Sequence, residues 1–204
     1  MRRRALSKVV TYYMTVVSPW VYFGHDRFVA LCAKHGATIE LKPVDLGRIF
    51  PVSGGLPLKQ RAPQRQAYRL VELARWKAFL DMPFNAQPKF AASGPDLAAH
   101  WTLAALEHGT RSALDFAGAV MRARWAEERD IADAATLASC ATDAGLPAET
   151  IAARAGAPEI AARYGAETQE AIDRQVFGTP WYAVDGEPFW GQDRLDFLAR
   201  KLAQ

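Results

Sequence analysis

The feature that most constrains the fold is a long block without strands, which separates two short groups of strand-like segments. Over residues 47–178, well over half of the 204-residue chain, we find no convincing strand pattern. Ala-rich segments with helical periodicity fill the block and are punctuated by Gly109, Gly145 and Gly156. Any sheet must therefore form from the two ends of the chain, which have to meet in space.

The N-terminal end predicts a strand, a helix and a second strand. Residues 8–14 are rich in β-branched and aromatic side chains, which favours a buried strand. Ser18 is suited to cap a helix, Pro19 to occupy its first position, and Gly36 to end it. Residues 38–46 alternate apolar and polar and predict the second strand.

The rest of the chain predicts helices and then a hairpin. Residues 51–63 contain two glycines and three prolines and predict a loop. An Asp-Gly turn at Asp185 and Gly186 joins two strand-like segments, 181–184 and 188–190, and predicts a hairpin. Helices are predicted over residues 64–81, 96–107, 112–127, 136–144, 148–155, 158–175 and 193–202.

This order of elements is the layout of a thioredoxin-like domain interrupted in its middle. We therefore predict an α/β fold in which residues 1–46 and 176–204 form the thioredoxin-like domain. Residues 47–175 would form an all-helical insertion domain. The length fits one composite domain of ordinary size.

Composition and charge argue against several functions. With 25 Lys+Arg and 22 Asp+Glu, the net charge of +3 does not indicate nucleic acid as a partner. No stretch approaches the ~20 apolar residues of a membrane helix, so no membrane partner is expected.

Arg2, Arg3 and Arg4 resemble the start of a signal peptide, but polar residues interrupt the apolar run that would have to follow. We expect a solvated N-terminal tail and a cytoplasmic protein.

Cysteine and histidine patterns indicate neither a dithiol centre nor a metal site. Cys32 and Cys140 lie far apart in the sequence, which excludes a CxxC redox pair. The histidines lack metal-ligand spacing, and we expect them at the surface or at helix ends. They are His25, His35, His100 and His108. Trp76 and Trp125 are interpreted as packing residues.

Three segments contain residues that could bind a peptide-like anion. Ser18 would lie at a helix N-terminus, which favours negative charge, although a plain N-cap explains the same residue. Thr179 and Pro180 stand where thioredoxin-like domains keep a cis proline, and an ordinary trans bond is the alternative. Gln192 and Asp193 begin the last helix and could hold an amino-acid group, although Asp193 could equally be a simple cap.

These motifs, taken together with others along the chain, resemble the 2-hydroxychromene-2-carboxylate isomerases, relatives of the kappa-class glutathione transferases. The resemblance spans about residues 9–202 and is strongest in the block at 176–195. Its other motifs are Ser18-Pro19-Trp20, residues 63–68 leading to 74–76, and Met82-Pro83-Phe84-Asn85. It implies a DsbA-like fold in which a serine replaces the reactive cysteine.

The resemblance implies reduced glutathione as the cofactor. Ser18 would donate a hydrogen bond to its sulfur, and Thr179, before Pro180, would pair through its backbone with the cysteinyl part. Gln192 and Asp193 would hold the γ-glutamyl end.

On the glycyl side, Arg65 stands where the family usually has a lysine near that carboxylate. The substrate would be a small aromatic molecule, with Lys59 and Asn85 as candidate substrate-binding residues. Solvated loop charges are the alternative for Lys59 and Arg65. The family often reads Gly-Asn where this chain has Gly54-Gly55, so one side-chain contact to glutathione or substrate is either missing or supplied by another residue.

The reaction implied is the cis–trans isomerisation that interconverts 2-hydroxychromene-2-carboxylate and trans-o-hydroxybenzylidenepyruvate, through transient addition of the thiolate. A homodimer is also expected from the resemblance. Two alternatives stay open. One is a kappa-type glutathione transferase or peroxidase, and the other is a catalytically idle thioredoxin-like binding module.

Overall fold

The computed structural model describes residues 7–204, and the predicted N-terminal tail lies outside the described residues. Within them the elements follow the predicted order. The strands are β1 (Val9–Met14), β2 (Thr38–Pro43), β3 (Trp181–Val184) and β4 (Glu187–Trp190). The helices are α1 (Pro19–His35), α2 (Leu46–Ser53), α3 (Pro63–Leu80), α4 (Asp96–Leu106), α5 (Thr110–Trp125), α6 (Ala134–Asp143), α7 (Ala148–Ala155), α8 (Pro158–Asp173) and α9 (Leu195–Leu202). Short 3₁₀ turns occupy Leu58–Gln60 and Gln192–Arg194.

The two ends of the chain form one mixed sheet, with strand order β2-β1-β3-β4. Strand β1 runs parallel to β2 and antiparallel to β3, and β3 and β4 form the predicted hairpin. Tyr12 lies opposite Leu41 on one side and Tyr182 on the other. The predicted α/β fold with a helical insertion is confirmed.

Neighbouring residues of β1 bury their side chains in different clusters, as the period of two along a strand requires. Tyr12 belongs to the main cluster and packs against Phe28 and Tyr182, with ring centroids 4.5 and 5.3 Å away. Tyr13 belongs to a second cluster with Ile49. The main cluster also contains side chains from α4, α5, α6 and α7. The insertion therefore shares one core with the sheet, and the predicted domain boundaries stay a prediction.

The prediction was wrong around the second strand. That strand ends at Pro43, and residues predicted as loop continue a helix, α2, through Pro51 to Ser53. The Asp45 carboxylate caps this helix by accepting a hydrogen bond from the Gly47 N–H at 2.7 Å. Ile49 is fully buried, and this packing offsets the hydrogen bond that Pro51 cannot make.

The prediction of a surface position for His25 was also wrong. The residue is only 3% exposed, because α5 packs against α1. Its Nδ1 lies 3.3 Å from the Tyr12 hydroxyl, and its Nε2 lies 2.9 Å from the Leu114 carbonyl oxygen. Burial lowers the pKa of His25, although the Leu114 carbonyl and nearby carboxylates act in the opposite direction.

No helix within residues 7–204 combines the length and the apolar character that crossing a bilayer requires. In that same part of the chain, no cluster of three or more His, Cys, Asp or Glu residues is arranged to hold a metal ion.

Candidate functional site

Ser18 lies where the first strand meets the first helix. Its backbone is extended and its hydroxyl accepts a hydrogen bond from the Val21 N–H at 3.4 Å, so the predicted N-cap is confirmed. The same hydroxyl donates to the Thr179 carbonyl at 3.4 Å. Both bonds are long, and the residue is 7% exposed. The fold thus brings together two predicted site residues that are distant in the sequence.

The Thr179–Pro180 peptide bond is cis, as predicted. The Pro180 carbonyl accepts a hydrogen bond from the Gly191 N–H at 3.0 Å, which ties this segment to the next turn. Thr179 is buried, and its hydroxyl oxygen has no hydrogen-bond partner among the described residues. Its N–H has no partner there either. Thr179 therefore presents unused polar groups to whatever binds beside it.

The turn that contains Gln192 and Asp193 packs directly on helix α1. A Cβ at Gly24 would lie 2.6 Å from the Gln192 Cβ, so only glycine permits this approach. The Gln192 side chain is 2% exposed, and its carbonyl oxygen accepts from an Arg27 guanidinium N–H at 2.7 Å. Asp193 is exposed and pairs with Arg194 at 2.7 Å. Contacts with α1 thus hold the turn in place, while the Asp193 carboxylate is exposed.

A cavity of about 580 Å³ opens between this turn and one face of α3. Four predicted site residues line it, namely Arg65, Thr179, Gln192 and Asp193. Ser18 and Pro180 adjoin it through Thr179. The other lining residues are Trp20, Arg61, Gln64, Tyr68, Arg69, Glu72, Trp76, Trp190, Gly191 and Arg194. A cavity of this size is typical of a small-molecule site.

Two residues predicted to bind substrate do not line this cavity. Lys59 lies in the 3₁₀ turn before α3. Asn85 follows α3, and its side chain is used within the protein: its Nδ2 donates to Glu128 at 2.5 Å, and its Oδ1 accepts from the Gln87 N–H at 2.9 Å. Neither side chain therefore lines the cavity beside Arg65 and Thr179.

The α3 face contributes lining residues that sequence reasoning missed. Trp76 packs against the main cluster, as predicted, but it is only half-buried and also lines the cavity, with the Arg27 guanidinium 5.8 Å from its ring centroid. Arg69 lies four residues beyond Arg65 on the same face of α3, and Arg61 reaches the cavity from the extended segment just before the helix. That spacing was a readable signal, because residues four apart share one helix face.

The lining carries an excess of positive charge. Four arginines and two carboxylates face the cavity, and each carboxylate already pairs with an arginine: Glu72 with Arg75, and Asp193 with Arg194. Burial and the neighbouring charge of Arg61 both lower the pKa of Arg69. Such a cavity attracts anions.

Comparison with known proteins agrees with the geometry. A model of the DSBA-like thioredoxin domain matches residues 9–203. A 2-hydroxychromene-2-carboxylate isomerase of Sphingobium xenophagum is 30% identical over 199 residues, which cover 97% of this chain and 99% of that protein. One from Pseudomonas putida is 25% identical, over 96% of this chain and 95% of that protein.

Solved structures show the same architecture. A structure of 2-hydroxychromene-2-carboxylate isomerase superposes with a TM-score of 0.80 at 24% identity, covering 96% of this chain and 94% of that one. The cytosolic disulfide reductase DsbM from Pseudomonas aeruginosa, solved with GSH, gives a TM-score of 0.67 at 17% identity, covering 96% and 100%. At these levels of identity, the two comparisons show that the fold is shared.

A mixed sheet with a cis proline before β3 and a helical insertion after β2 defines a thioredoxin-like protein of the DsbA type. The chain belongs to the DSBA-like thioredoxin domain family, in the group of relatives that contains the 2-hydroxychromene-2-carboxylate isomerases. Both of its cysteines are buried and unpaired, and burial raises the pKa of Cys32 to about 12. Neither thiol is suited to act as a nucleophile.

Proposed function

We propose that this protein is a glutathione-dependent isomerase that interconverts 2-hydroxychromene-2-carboxylate and trans-o-hydroxybenzylidenepyruvate. The observation that carries the proposal is the Ser18 hydroxyl, held at a helix N-terminus against the carbonyl of Thr179 at the edge of a cationic cavity. The near full-length relationship to isomerases supports the choice of reaction. A cytoplasmic location, where thiols stay reduced, and a homodimer belong to the same proposal.

The lining fits a γ-glutamyl tripeptide. The unused N–H and hydroxyl of Thr179 are suited to the cysteinyl part. Asp193 and the Gln192 amide would hold the ammonium and carboxylate of the γ-glutamyl end. Arg65, whose guanidinium group has no ion-pair or hydrogen-bond partner within residues 7–204, would bind the glycyl carboxylate. That DsbM, a protein of this fold, was solved with GSH supports the assignment.

Glutathione would supply the nucleophilic thiolate whose reversible addition turns the double bond of the ring-opened substrate into a single bond that can rotate. The protein's part is to keep that sulfur ionised. The N-terminus of α1 favours negative charge, and the Ser18 hydroxyl can donate to the sulfur in place of its long bond to Thr179. Breaking the bond to Thr179 costs little free energy, because a 3.4 Å hydrogen bond is weak.

The substrate in this proposal is a small aromatic carboxylate. Lys59 and Asn85 stay proposals for its binding, and Asn85 would have to give up its hydrogen bond to Glu128 to take part. The aromatic lining of the cavity, with Trp20 and Trp76 among its residues, suits a planar ring.

Isothermal titration with reduced glutathione tests the cofactor assignment. We expect one tripeptide per chain and a raised melting temperature, since a ligand that binds the native state stabilises it. Absence of both heat and thermal shift at millimolar glutathione would remove the proposal and favour an idle binding module. Turnover of 2-hydroxychromene-2-carboxylate is then followed by absorbance while total free thiol is assayed. Constant thiol is expected, and stoichiometric loss of thiol would instead indicate a transferase or peroxidase.

A further inference from the structure

Two arginines of the cavity have no partner within the described residues. Arg65 and Arg69 lie one helical turn apart on the cavity face of α3, and neither guanidinium group makes a hydrogen bond or ion pair there. Arg61, by contrast, donates to the Leu56 carbonyl at 2.8 Å, and Arg194 pairs with Asp193. The glycyl carboxylate of a tripeptide needs one of the two guanidinium groups and leaves the other available.

Arg69 is the more enclosed of the two. Arg65 is exposed, whereas Arg69 is half-buried beside Arg61. The Glu72 carboxylate, one turn further along α3, is held by Arg75 at 2.5 Å. A partly buried cation without a counter-charge is costly unless a ligand supplies one. This position therefore favours a second anionic group in the cavity.

The α3 face is also longer than a tripeptide. From Arg65 to Trp76 the helix advances eleven residues, or about 16 Å at 1.5 Å per residue. An extended α-linked tripeptide spans at most about 11 Å, and the two extra carbon atoms of the γ-linkage in glutathione lengthen this by only about 2.5 Å. The face thus has room for a second molecule beyond the one that Arg65 would bind.

The surroundings of Arg69 indicate the chemistry of that second molecule. Trp76 lies two turns beyond it on the same face, and Trp20, Tyr68 and Trp190 also line the cavity. Indole and phenol rings pack well against a planar aromatic ring. A guanidinium group forms two parallel hydrogen bonds to a carboxylate, a geometry that a lysine cannot provide.

We propose that Arg69 binds the carboxylate of an aromatic monocarboxylate substrate, whose ring lies against Trp76, at the same time as Arg65 binds glutathione. This rests on the proposed function, since Arg65 is assigned to the tripeptide. It makes Arg69 the residue that selects for a charged substrate.

The test is titration of trans-cinnamate into protein saturated with reduced glutathione, with the uncharged trans-cinnamamide as the matched ligand. The wild type should prefer cinnamate. Arg69→Gln should weaken cinnamate binding about tenfold to a hundredfold and abolish the preference. Arg65→Gln is the control variant. It should weaken glutathione binding, and at saturating glutathione it should leave the cinnamate affinity unchanged.

Several outcomes would overturn the inference. They are unchanged cinnamate affinity in Arg69→Gln, displacement of glutathione by cinnamate, or glutathione binding without any cinnamate binding to the wild type. All three leave the proposed function standing, whereas failure of glutathione to bind removes the proposed function itself. If Arg69→Gln does not fold, Arg69→Lys is used, and it should still weaken cinnamate binding because it loses the bidentate geometry.

Discussion

The two walls of the cavity are built differently. One wall, formed by the start of α1, the cis-proline segment and the turn at residues 191–194, is joined by internal hydrogen bonds and buries Ser18, Thr179 and Gln192. Ser18 contacts Thr179, Pro180 accepts from Gly191, and Gln192 accepts from Arg27. The other wall is helix α3, in which Leu73 is the one fully buried side chain and two arginines have no partner within residues 7–204.

This difference indicates that the two walls have different functions in ligand binding. Groups that must be positioned accurately, such as a hydroxyl facing a thiolate, stand on the wall that packing holds in place. Groups that supply charge stand on the exposed helix, where a long side chain can adapt to its ligand. Changes to the packed wall should therefore alter chemistry and stability, and changes to α3 should alter mainly affinity.

The largest effect is expected from Ser18→Ala. Loss of a hydrogen bond to a charged group costs about 1.5–3 kcal/mol, which corresponds to a rise of about one to two units in the pKa of bound glutathione. The isomerase rate should fall accordingly at neutral pH, and some activity should survive because the helix dipole remains. Thiolate absorbance of the complex against pH, recorded with turnover, measures both.

Ser18→Cys is the informative companion of that variant. We expect no dithiol oxidoreductase activity, since Cys32 and Cys140 are both buried. An unchanged thiolate titration in Ser18→Ala would show that the residue is a helix cap and nothing more. The packed wall would then hold the ligand without activating it.

A matched pair of glycine variants compares packing near the site with packing away from it. Gly24→Ala places a methyl group 2.6 Å from the Gln192 Cβ, and overpacking of this kind costs about 1–3 kcal/mol. In Gly118→Ala the new methyl lies 3.5 Å from the His25 ring, an ordinary contact. Both positions are helical, so the gain in helix propensity from glycine to alanine is the same in the two variants. The difference between their free energies of unfolding therefore measures the clash alone.

We therefore expect Gly24→Ala to have a free energy of unfolding about 1–3 kcal/mol below that of Gly118→Ala, measured by urea denaturation. Glutathione affinity should fall only in Gly24→Ala, because Gln192 is displaced. Equal stability of the two variants would contradict the view that α1 fixes the position of this turn.

The parts of the fold that the sequence predicts best are those that local chemistry determines. Ser18 and Pro19 begin a helix through a cap and a fixed φ, and their roles can be read from two residues. Asp185 and Gly186 both adopt positive φ, as the predicted hairpin turn requires. The cis bond before Pro180 was expected only from its place in the order of elements.

The features that were missed depend on contacts between distant segments. The burial of His25 requires Leu114 of α5 beside it, and the helix through Pro51 requires the packing of Ile49. No local pattern contains that information. The cavity-lining positions of Trp76 and Arg69 were missed for another reason: their helical spacing was visible, but only the fold shows that this face of α3 borders a cavity as well as the core.

The smallest expected effect concerns the charge of the exposed wall. Glu72→Gln removes a carboxylate from the cavity lining and frees Arg75 from its ion pair, so the α3 face becomes more positive. Glutathione affinity should rise about twofold to fivefold in dilute buffer, and the gain should vanish at 1 M salt, where the Debye length is about 3 Å. The melting temperature should hardly change, since exposed ion pairs contribute little to stability.

Asp115→Asn is the matched control for Glu72→Gln. It breaks a comparable surface pair within one helix, with Arg111, on α5 and outside the cavity lining. Asp115→Asn should change the melting temperature as little as Glu72→Gln does, and it should leave the glutathione affinity unchanged. A weaker affinity in Glu72→Gln would mean that the carboxylate itself contacts the ligand. In that case α3 would hold its ligand in a defined position, as the packed wall does. The two walls would then no longer differ in function.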